Sequence, residues 1–515
     1  LLIGLRPATA GARPAPSAKT AFRFRGISVS VPTSFPFSFM AIQLFDSLTR
    51  EIRALRASHA DGVFRFYNCG PTVYAPAHIG NFRTFVVNDV LRRLLELEFG
   101  ADKVKHVRNL TDVDDRTIGQ TQKEKRPLAE ITQKWTDKFH ADCAALNCLR
   151  PHAEPTATGY IKEQVNMIEV LMEKGNAYRA ADGSVYFKIE SFPGYGGLSR
   201  IRERELKITN AVADADHKDS VSDFALWKAY KPAEDGDVKW PGPRGASEGR
   251  PGWHIECSAM SKSLLGDTID LHTGGVDLLF PHHENEIAQS ACAHPHGDFA
   301  HYWLHNEMLQ VEGKKMSKSL GNFFTVRDLL DQGIPGEVIR FVLLMTHYRS
   351  PMDWTAEKAR QAEATLRKWR AATGSIEVSA PLPGVVEALA DDLNTAGALA
   401  ALHAAAGVGD WAGLKASAQL LGLLGPDTAD WSWKKVEASF GTVFVAGEGD
   451  QDRFFALVKA FAEVWQARRA EKDYAAADQI KATAAQAGLE LKAVPQGVMA
   501  EMRPDFDPAK LEAPQ

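Results

Sequence analysis

Cysteine is scarce in this sequence, and long apolar runs are missing from it. Five cysteines occur among 515 residues, an odd number, and no two of them have the spacing Cys-x-x-Cys. A secreted disulfide scaffold is therefore excluded, and each cysteine needs its own explanation. No stretch approaches the ~20 apolar residues of a membrane-spanning helix, which excludes an integral membrane protein.

A strong excess of one charge is also missing. The sequence holds 60 Lys and Arg against 65 Asp and Glu, a net charge of −5. Such a surface does not attract nucleic acid over its whole extent, so an RNA partner must be bound by local basic patches. The apolar share of 45% and the charged share of 24% are ordinary for a globular enzyme. At roughly 100–200 residues per domain, the length predicts two to four domains.

Acidic residues are absent from residues 1–39, where Ser, Thr, Ala and Pro are frequent. The basic residues of this segment are Arg6, Arg13, Lys19, Arg23 and Arg25. A segment that is Arg-rich, Ser-rich and free of acids is typical of an organelle transit peptide. We therefore expect import into a chloroplast or mitochondrion. The globular pattern opens at Met40, so a cytoplasmic form that starts there is the alternative.

The pattern that follows predicts an α/β fold. Residues 64–68 alternate like a strand, a Gly/Pro turn follows, and apolar residues recur at helical spacing from 84 to 97 before a second strand at 104–110. Strand, Gly-rich turn and helix open a βαβ unit, in which the helix N-terminus can hold a phosphate. Residues 178–250 are typical of an insertion of short strands and loops. Residues 302–311 are predicted as one strand, and the chain from about 328 onward as helical almost throughout.

Two thiols, an imidazole and a carboxylate are candidates for a zinc site. Cys257 lies in Gly-Trp-His-Ile-Glu-Cys, and His282 and Glu286 lie four residues apart after Pro281, which places both on one face of a helix. Cys69 follows a strand and can face the same cleft. The four residues would complete a tetrahedral site. The alternative is that the cysteines are packing residues and the His-Glu pair is a surface contact. We assign Cys143, Cys148 and Cys292 to packing.

Two short segments far apart in sequence predict a nucleotide site. His78-Ile-Gly80-Asn81 lies at a helix start, and Lys315-Met-Ser-Lys318-Ser lies in a polar loop. Alone, the first is equally typical of a turn and the second of a solvated surface. Together they closely resemble the HIGH and KMSKS signatures of class I aminoacyl-tRNA synthetases. The segments 69–74, 252–258, 277–286 and 315–322 resemble the cysteinyl-tRNA synthetase family, and the resemblance covers residues 41 to about 495.

The resemblance implies activation of L-cysteine by ATP and transfer to tRNA(Cys), with Mg²⁺ accompanying the ATP and one Zn²⁺ selecting the cysteine thiolate. Residue by residue it implies the zinc ligands Cys69, Cys257, His282 and Glu286, and the catalytic residues His78, Asn81, Lys315 and Lys318. It further implies that Gly80 and Asp277 bind ATP together with those four, and that Thr72, Trp253 and His272 bind the amino acid. For Trp253 and His272 the alternative role is core packing. Asn81 departs from the signature, because it replaces the second histidine of HIGH.

The resemblance also implies a domain organisation. A Rossmann-type catalytic domain with a parallel sheet spans 40–310, with the insertion near 150–250. Residues 311–378 hold the KMSKS loop and a region that contacts the tRNA stem. Residues 379–515 form an α-helical bundle domain on the anticodon side and a tail, where Arg468, Arg469 and Lys472 form a basic cluster for phosphate contacts.

Two rival functions stay open at this stage. A related cysteine ligase joins cysteine to an amino sugar and lacks an anticodon-side domain, so residues 379–495 favour tRNA as the acceptor. The second rival is a non-catalytic tRNA-binding derivative of a synthetase, which would have lost signature lysines or zinc ligands. This sequence keeps all of them.

Overall fold

The structure of the protein is a computed structural model. The structure describes residues 21–24, 27–30, 41–201, 218–220, 222–294, 298–311, 313–315, 324–425, 436–438, 441–446, 451–494, 497–502 and 510.

The described part of the chain alternates strands and helices up to residue 354 and is then mostly helical. The strands are β1 Ala21–Phe24, β2 Ile27–Ser30, β3 Gln43–Asp46, β4 Glu51–Ala54, β5 Phe64–Asn68, β6 Val104–Arg108, β7 Ala177–Arg179, β8 Val185–Phe187, β9 Phe224–Ala229, β10 Gly249–Pro251, β11 Ile269–Gly275, β12 Ala300–Asn306, β13 Leu309–Val311, β14 Lys314–Lys315, β15 Met352–Trp354, β16 Val436–Ala438, β17 Gly441–Ala446, β18 Leu489–Val494 and β19 Gly497–Met502. The helices are α1 Ile79–Phe99, α2 Asp115–Glu124, α3 Leu128–Ala145, α4 Ile161–Glu173, α5 Pro232–Asp235, α6 Trp253–Leu265, α7 Glu284–Ala293, α8 Val326–Asp331, α9 Gly336–Leu344, α10 Ala356–Thr373, α11 Pro383–Ala390, α12 Thr395–Val408, α13 Trp411–Leu420, α14 Gln451–Ala470 and α15 Tyr474–Gln486.

A parallel four-stranded sheet in the order β12-β11-β5-β6 forms the centre of the catalytic region. Its strands are buried almost throughout, as expected for a parallel sheet with helices on both faces. Helix α1 connects β5 to β6, so the predicted βαβ unit is confirmed. Because the strands are parallel, their carboxyl ends meet at one edge of the sheet, where ligands bind in such folds.

Helix α1 is buried around most of its circumference. Sixteen of its 21 residues are buried, and five of these carry formal charges, so each charge needs a partner inside the protein. The charged residues are Arg83, Asp89, Arg92, Arg93 and Glu96. Arg92 pairs with Glu96, and Arg93 with Asp89, each one turn apart on the helix. The apolar residues of α1 belong to the largest core cluster.

Short strands lie between α4 and α6, where the sequence predicts short strands and loops. Strands β7 to β10 form an antiparallel sheet in the order β10-β9-β8-β7, with its own apolar core around Phe187, Phe224 and Trp227. The following helix α6 begins directly after β10, so the insertion delivers the chain back to the central sheet.

Two sequence predictions fail in detail. Residues 302–311 do not form one strand, because the chain leaves the central sheet after Asn306 and resumes as β13 at Leu309. The prediction of helix almost throughout after residue 328 also misses β15 and a four-stranded sheet in the order β16-β17-β19-β18. Helix α14 has the predicted bounds, and α15 packs on β18 of that sheet. These strands are short and lie near Gly-containing turns, so their residues show no clear periodicity from which the sequence could predict them.

Within the residues that the structure describes, no helix has the length and apolar character needed to span a membrane.

Candidate functional site

The site lies at the carboxyl edge of the central sheet, where β5, β11 and β12 end. Cys69 directly follows β5, and its neighbour Gly70 donates its backbone N–H to the Asn109 side chain at 2.8 Å. A Cβ on Gly70 would lie 1.6 Å from the carbonyl oxygen of Asn109, so only glycine permits this close approach of the two strand ends. The glycine therefore determines where the Cys69 thiol points.

Helix α6 brings Cys257 to the same edge. Its N-cap Gly252 donates its N–H to Leu226 of β9 at 2.8 Å, and a Cβ there would lie 2.0 Å from the Ala225 carbonyl oxygen. The helix start is thus pressed against the insertion sheet, and Cys257 lies one turn into the helix. The Sγ atoms of Cys69 and Cys257 are 3.7 Å apart, although 188 residues separate them in sequence.

His282 and Glu286 supply the other two donor atoms. Glu286 lies in the first turn of α7, and His282 lies in the π-helical turn Leu279–His283 that leads into α7. Nε2 of His282 lies 2.8 Å from Oε1 of Glu286, and the same oxygen lies 3.6 Å from the Sγ of Cys69. All four side chains are at least 93% buried. The donor atoms of Cys69, Cys257, His282 and Glu286 lie within 4.8 Å of one another, so the four residues can hold a metal ion.

The donor separations fit a tetrahedral ion. Zn–S bonds of ~2.3 Å and Zn–O bonds of ~2.1 Å place two sulfurs ~3.8 Å apart and a sulfur and an oxygen ~3.6 Å apart. The corresponding distances here are 3.7 Å and 3.6 Å. The His282–Glu286 separation of 2.8 Å is shorter and must open by about half an ångström around such an ion.

An unpartnered nitrogen points to the same conclusion. Nε2 of His282 is close to Glu286, but the angle is not that of a hydrogen bond, and this buried atom has no hydrogen-bond partner in the described structure. A buried polar atom without a partner costs free energy that a metal bond would offset. A second quartet, Cys69, His272, His283 and Glu286, shares two donors with the first. It offers one sulfur instead of two, and Nε2 of His272 is already in contact with Oε2 of Glu286 at 2.8 Å, so the first quartet is the better zinc site.

The electrostatics of the quartet favour a cation. Burial opposes ionisation of Glu286, but His272 and His282 lower the pKa of this carboxyl to about 2. Burial opposes ionisation of Cys257 as well, but the Cys69 thiol and His282 lower the pKa of Cys257 to about 6. Burial raises the pKa of the Cys69 thiol well above its ordinary value. A divalent ion at the centre would replace the protons held by Cys69 and His282.

A layer of histidines lies beneath the quartet, and the sequence analysis missed most of it. His283 has its Nε2 3.6 Å from the Sγ of Cys69 and its Nδ1 2.8 Å from Nε2 of His305. His305 in turn contacts the hydroxyl of Ser47 at 2.8 Å. Burial lowers the pKa of His283 well below its ordinary value, so the ring is neutral. The doubled histidine after Pro281 was the signal that could have pointed to this layer.

The three residues predicted to bind the amino acid differ in how deeply their side chains are buried. Trp253 is 40% exposed and stacks on the His282 ring with centroids 4.1 Å apart, so it covers the quartet from the solvent side. His272 is fully buried behind Glu286 and stacks on Trp303. Thr72 is half-buried and pairs with Thr111 across the strand ends. Trp253 and Thr72 can therefore meet a small ligand, whereas His272 acts on Glu286.

The N-terminus of α1 forms the neighbouring part of the site. The Nδ1 of His78 accepts the N–H of Asn81, and the Asn81 side-chain oxygen accepts the N–H of His78, each at 3.2 Å. This reciprocal capping box leaves the proton of the neutral ring on Nε2. Burial lowers the pKa of His78, an effect that the carboxylate of Asp277 partly opposes. Gly80, the third residue of the signature, is half-buried in the first turn.

The segment with the predicted lysines returns to the same helix end. Lys315 lies in β14, which pairs with β13, and Lys318 lies outside the described residues. Where the chain is described again, Phe324 accepts the N–H of Ile79 at 3.1 Å, and Thr325 forms an isolated bridge with His78. Residues 324–325, more than 200 residues after the first signature in sequence, therefore return to the start of α1.

Comparison with known proteins shows the family of this chain. Residues 56–364 match the family model of the class I (C) tRNA synthetase catalytic domain. A cysteine–tRNA ligase of Opitutus terrae is 57% identical over 462 residues, which is 87% of this chain and 96% of that protein. The chain belongs to the cysteine–tRNA ligase family. A member from Paracoccus denitrificans is 52% identical over 480 residues, with 91% of this chain and 99% of that protein covered. Among solved structures, Mycobacterium tuberculosis methionyl-tRNA synthetase in complex with methionyl-adenylate aligns with 70% of this chain and 82% of its own chain, at a TM-score of 0.45 and 14% identity.

Membership in the cysteine–tRNA ligase family makes the chain a ligase with a class I catalytic domain. The acidic residues Asp112, Asp114 and Asp115 have structural contacts. Asp112 accepts the N–H of Thr158 at 2.9 Å, Asp114 caps α2, and Asp115 pairs with Lys228 at 3.1 Å. These carboxylates are engaged with the insertion and with their own loop.

The capping box predicts how this ligase tolerates its altered signature. Replacing Asn81 with histidine should raise the rate of ATP–pyrophosphate exchange by less than about tenfold, because the change adds about one hydrogen bond to phosphate. Asn81→Ala removes the side-chain oxygen that accepts the N–H of His78 and should lower the exchange rate, with a loss of about 1 kcal/mol in helix stability. Exchange kinetics at varied ATP check both variants, and a rise of several orders of magnitude in Asn81→His would contradict the estimate.

Proposed function

We propose that this chain activates L-cysteine with ATP to cysteinyl-adenylate and pyrophosphate, and transfers the cysteinyl group to tRNA(Cys). The observation that carries the proposal is the buried quartet with two thiols, placed beside the capped N-terminus of α1. A thiol-binding site and a phosphate-binding site then lie next to each other, as a reaction between cysteine and ATP requires. The family of the chain supports the same reaction.

We infer that the quartet holds one Zn²⁺. Zinc supplies a cation that binds a thiolate far better than a hydroxyl, which separates cysteine from serine without a correction step. Cys69 and Cys257 give the site its preference for a soft metal, and Glu286, oriented by His272, gives it a third negative donor. Trp253 covers the site and excludes water from the bound amino acid.

The phosphates of ATP are expected at the start of α1. The dipole of a 21-residue helix favours an anion there. His78 donates from Nε2, and Lys315 and Lys318 neutralise the charge that grows on the leaving pyrophosphate. Asp277, two residues after β11, is proposed to hold the ribose. Mg²⁺ accompanies the nucleotide. Little covalent chemistry is required of the protein, because the substrate carboxylate itself attacks the α-phosphate and positioning supplies most of the rate.

The acceptor is proposed to be tRNA, bound by the C-terminal half. The guanidinium of Arg469 lies 4.9 Å from the ring centroid of Trp465, and Arg468 pairs with the exposed Glu471 at 3.3 Å. Lys472 follows with a left-handed backbone at φ 63°. These cations at the end of α14 form a local basic patch on a protein whose net charge is negative, so tRNA binding should weaken with salt.

Two assays in sequence test the function. Purified protein should catalyse cysteine-dependent exchange of pyrophosphate into ATP and should then attach radiolabelled cysteine to tRNA. Exchange without tRNA charging would indicate the amino-sugar ligase, and absence of exchange would indicate a non-catalytic tRNA-binding protein. Serine serves as the matched control substrate, since it differs from cysteine only in the atom that meets the metal.

We also propose that residues 1–39 direct the protein to a chloroplast or mitochondrion. Their composition, basic and without acids, supports this. A fusion of residues 1–39 to a fluorescent protein should enter one of these organelles in a plant or algal cell. A diffuse cytoplasmic signal would instead favour the cytoplasmic form that starts at Met40.

A further inference from the structure

Arg83 is a fully buried cation whose hydrogen bonds all go to backbone carbonyls. Its Nη1 donates to the carbonyls of Glu307 and Met308 at 2.8 and 3.0 Å. Its Nη2 donates to the carbonyls of Ser350 and His347 at 2.7 and 3.0 Å, and more weakly to that of Tyr348 at 3.4 Å. The side chain is 0% exposed, and burial lowers its pKa to about 10. The carboxylate of Glu307 partly offsets the effect of burial on this charge, but all of its hydrogen bonds go to carbonyls, so it requires a well-defined cage.

The carbonyls that form the cage come from two connections, and both lead into one small sheet. Glu307 and Met308 connect β12 to β13, and residues 347–350 lie between α9 and β15. Strand β13 pairs with β15 on one side and with β14 on the other. Strand β14 holds Lys314 and Lys315, where the KMSKS segment begins. Arg83 therefore joins α1 to the sheet from which that segment starts.

The far end of the segment is joined to α1 as well. Ile79 donates its N–H to Phe324 at 3.1 Å, four residues before Arg83 on the same helix. Both described ends of the KMSKS segment are thus held by the first two turns of α1. Removing the contacts of Arg83 would let the hairpin β13–β14 shift relative to the start of α1. The hydrogen bond between Ile79 and Phe324 would stay in place.

We propose that Arg83 is a positioning residue for amino-acid activation, which holds the hairpin β13–β14 in place relative to the start of α1 so that both signatures reach the phosphates of one ATP molecule. The inference rests on the proposed function, because it assigns the helix start and the lysine segment to the same nucleotide. Arg83 itself does not touch the substrate, since its guanidinium is enclosed by the five carbonyls.

The shape of the guanidinium explains why arginine is needed here. Its two Nη atoms point to different connections, one to 307–308 and one to 347–350. A lysine keeps the charge but presents three donors from a single nitrogen at the end of a flexible chain, so it cannot hold both connections in the same geometry. Displacement of reacting groups by about 1 Å can cost about 100-fold in rate.

The connection 347–350 is also held from the C-terminal half of the chain. Asp392, between α11 and α12, accepts the Tyr348 hydroxyl at 2.6 Å and Nε of Arg349 at 2.7 Å. The same carboxylate accepts the N–H of Phe45 at 2.9 Å. The cage of Arg83 is therefore supported on its far side, which makes it a rigid reference for the hairpin.

The test compares Arg83→Lys with Arg93→Lys. Arg93 lies on the same helix and is 4% exposed. It donates to the carboxylate of Asp89 at 2.7 Å and to the backbone carbonyls of Asn147 and Gln419 at 2.8 and 3.4 Å, and none of these three residues belongs to the hairpin. For each full-length variant, zinc content, thermal unfolding, and kcat and KM for ATP and for cysteine in pyrophosphate exchange are measured. We expect Arg83→Lys to lower kcat by about 10- to 100-fold, with zinc content and the KM for cysteine within twofold of wild type. Arg93→Lys should keep kcat within about threefold at a similar loss of stability.

Different results would refute the positioning role of Arg83 and the proposed function of the chain. Equal losses of kcat in the two variants, in proportion to their stability, would overturn the positioning role. A loss confined to the KM for cysteine or to zinc content would overturn it too. Should Arg83→Lys not fold, Arg83→Gln takes its place, since it leaves no charge to bury and still cannot hold both connections. Wild-type protein without cysteine-dependent exchange would refute the proposed function itself, independently of any variant.

Discussion

Replacing Cys257 with serine is expected to release the metal and to abolish the preference for cysteine. The Sγ of Cys257 is one of two sulfurs 3.7 Å apart in a fully buried site, and a serine hydroxyl does not ionise at neutral pH to replace it. Changes to residues that merely support metal ligands cost 10–100-fold. We therefore expect loss of a ligand to lower kcat/KM for cysteine by more than about 100-fold, with the KM for ATP changed far less.

Metal analysis and exchange kinetics at varied cysteine and ATP check this expectation. Cys292→Ser is the matched control, because Cys292 lies on α7, the helix that also holds Glu286, but is half-buried and remote from the quartet. It should keep its zinc and its kinetics. If Cys257→Ser retained zinc, or lost affinity for both substrates equally, the quartet would not be the site that recognises the amino acid.

Replacing Asp89 with asparagine is expected to destabilise the fold strongly. Asp89 accepts Nε of Arg93 and the N–H of Leu149 at 2.7 and 2.6 Å, and it pairs with the fully buried Arg340. Arg340 also donates to the carbonyl of Leu421 at 2.7 Å, which joins α1 and α9 to the end of α13. Asparagine would leave two buried guanidiniums without their counter-charge, a change that costs about 3–5 kcal/mol of the free energy of unfolding.

Urea denaturation measures the loss, with Glu357→Gln as the control. Glu357 pairs with Arg360 on the surface, where both side chains are more than half exposed, so its removal should leave the free energy of unfolding almost unchanged. Burial alone would raise the pKa of Asp89, but Arg93 and Arg340 lower it well below its ordinary value. The stabilisation is therefore complete above pH ~4 and is lost only as pH falls towards the folded-state pKa. The difference in the free energy of unfolding between wild type and Asp89→Asn should therefore stay constant from pH 8 to pH 6. A difference that already decreased in this range would contradict the role assigned to the Asp89 carboxylate.

Local patterns in the sequence determined the elements that carry the site. The alternation at 64–68 and the helical spacing after it correctly predicted β5 and α1, and the interval of four residues correctly predicted that the side chains of His282 and Glu286 lie close together. These features depend on backbone periods of 2 and 3.6 residues, which a short window of sequence contains in full. The two nucleotide signatures could also be recognised from the sequence alone, because each occupies a few consecutive residues.

The partners of those elements were decided by the tertiary structure alone. Cys69 and Cys257 meet because β5 and β11 are neighbours in the sheet and because Gly252 lets α6 approach the insertion. The sequence around Arg83 gave no sign of a special role. In the structure its guanidinium is enclosed by carbonyls of the segments 307–308 and 347–350, which are more than 200 residues away in sequence. Sheet order and chain crossing have no short-range signature, because contacts across hundreds of residues are chosen by the packing of whole elements. The sequence by itself thus determined which groups this ligase carries, and the fold decided which of them act together.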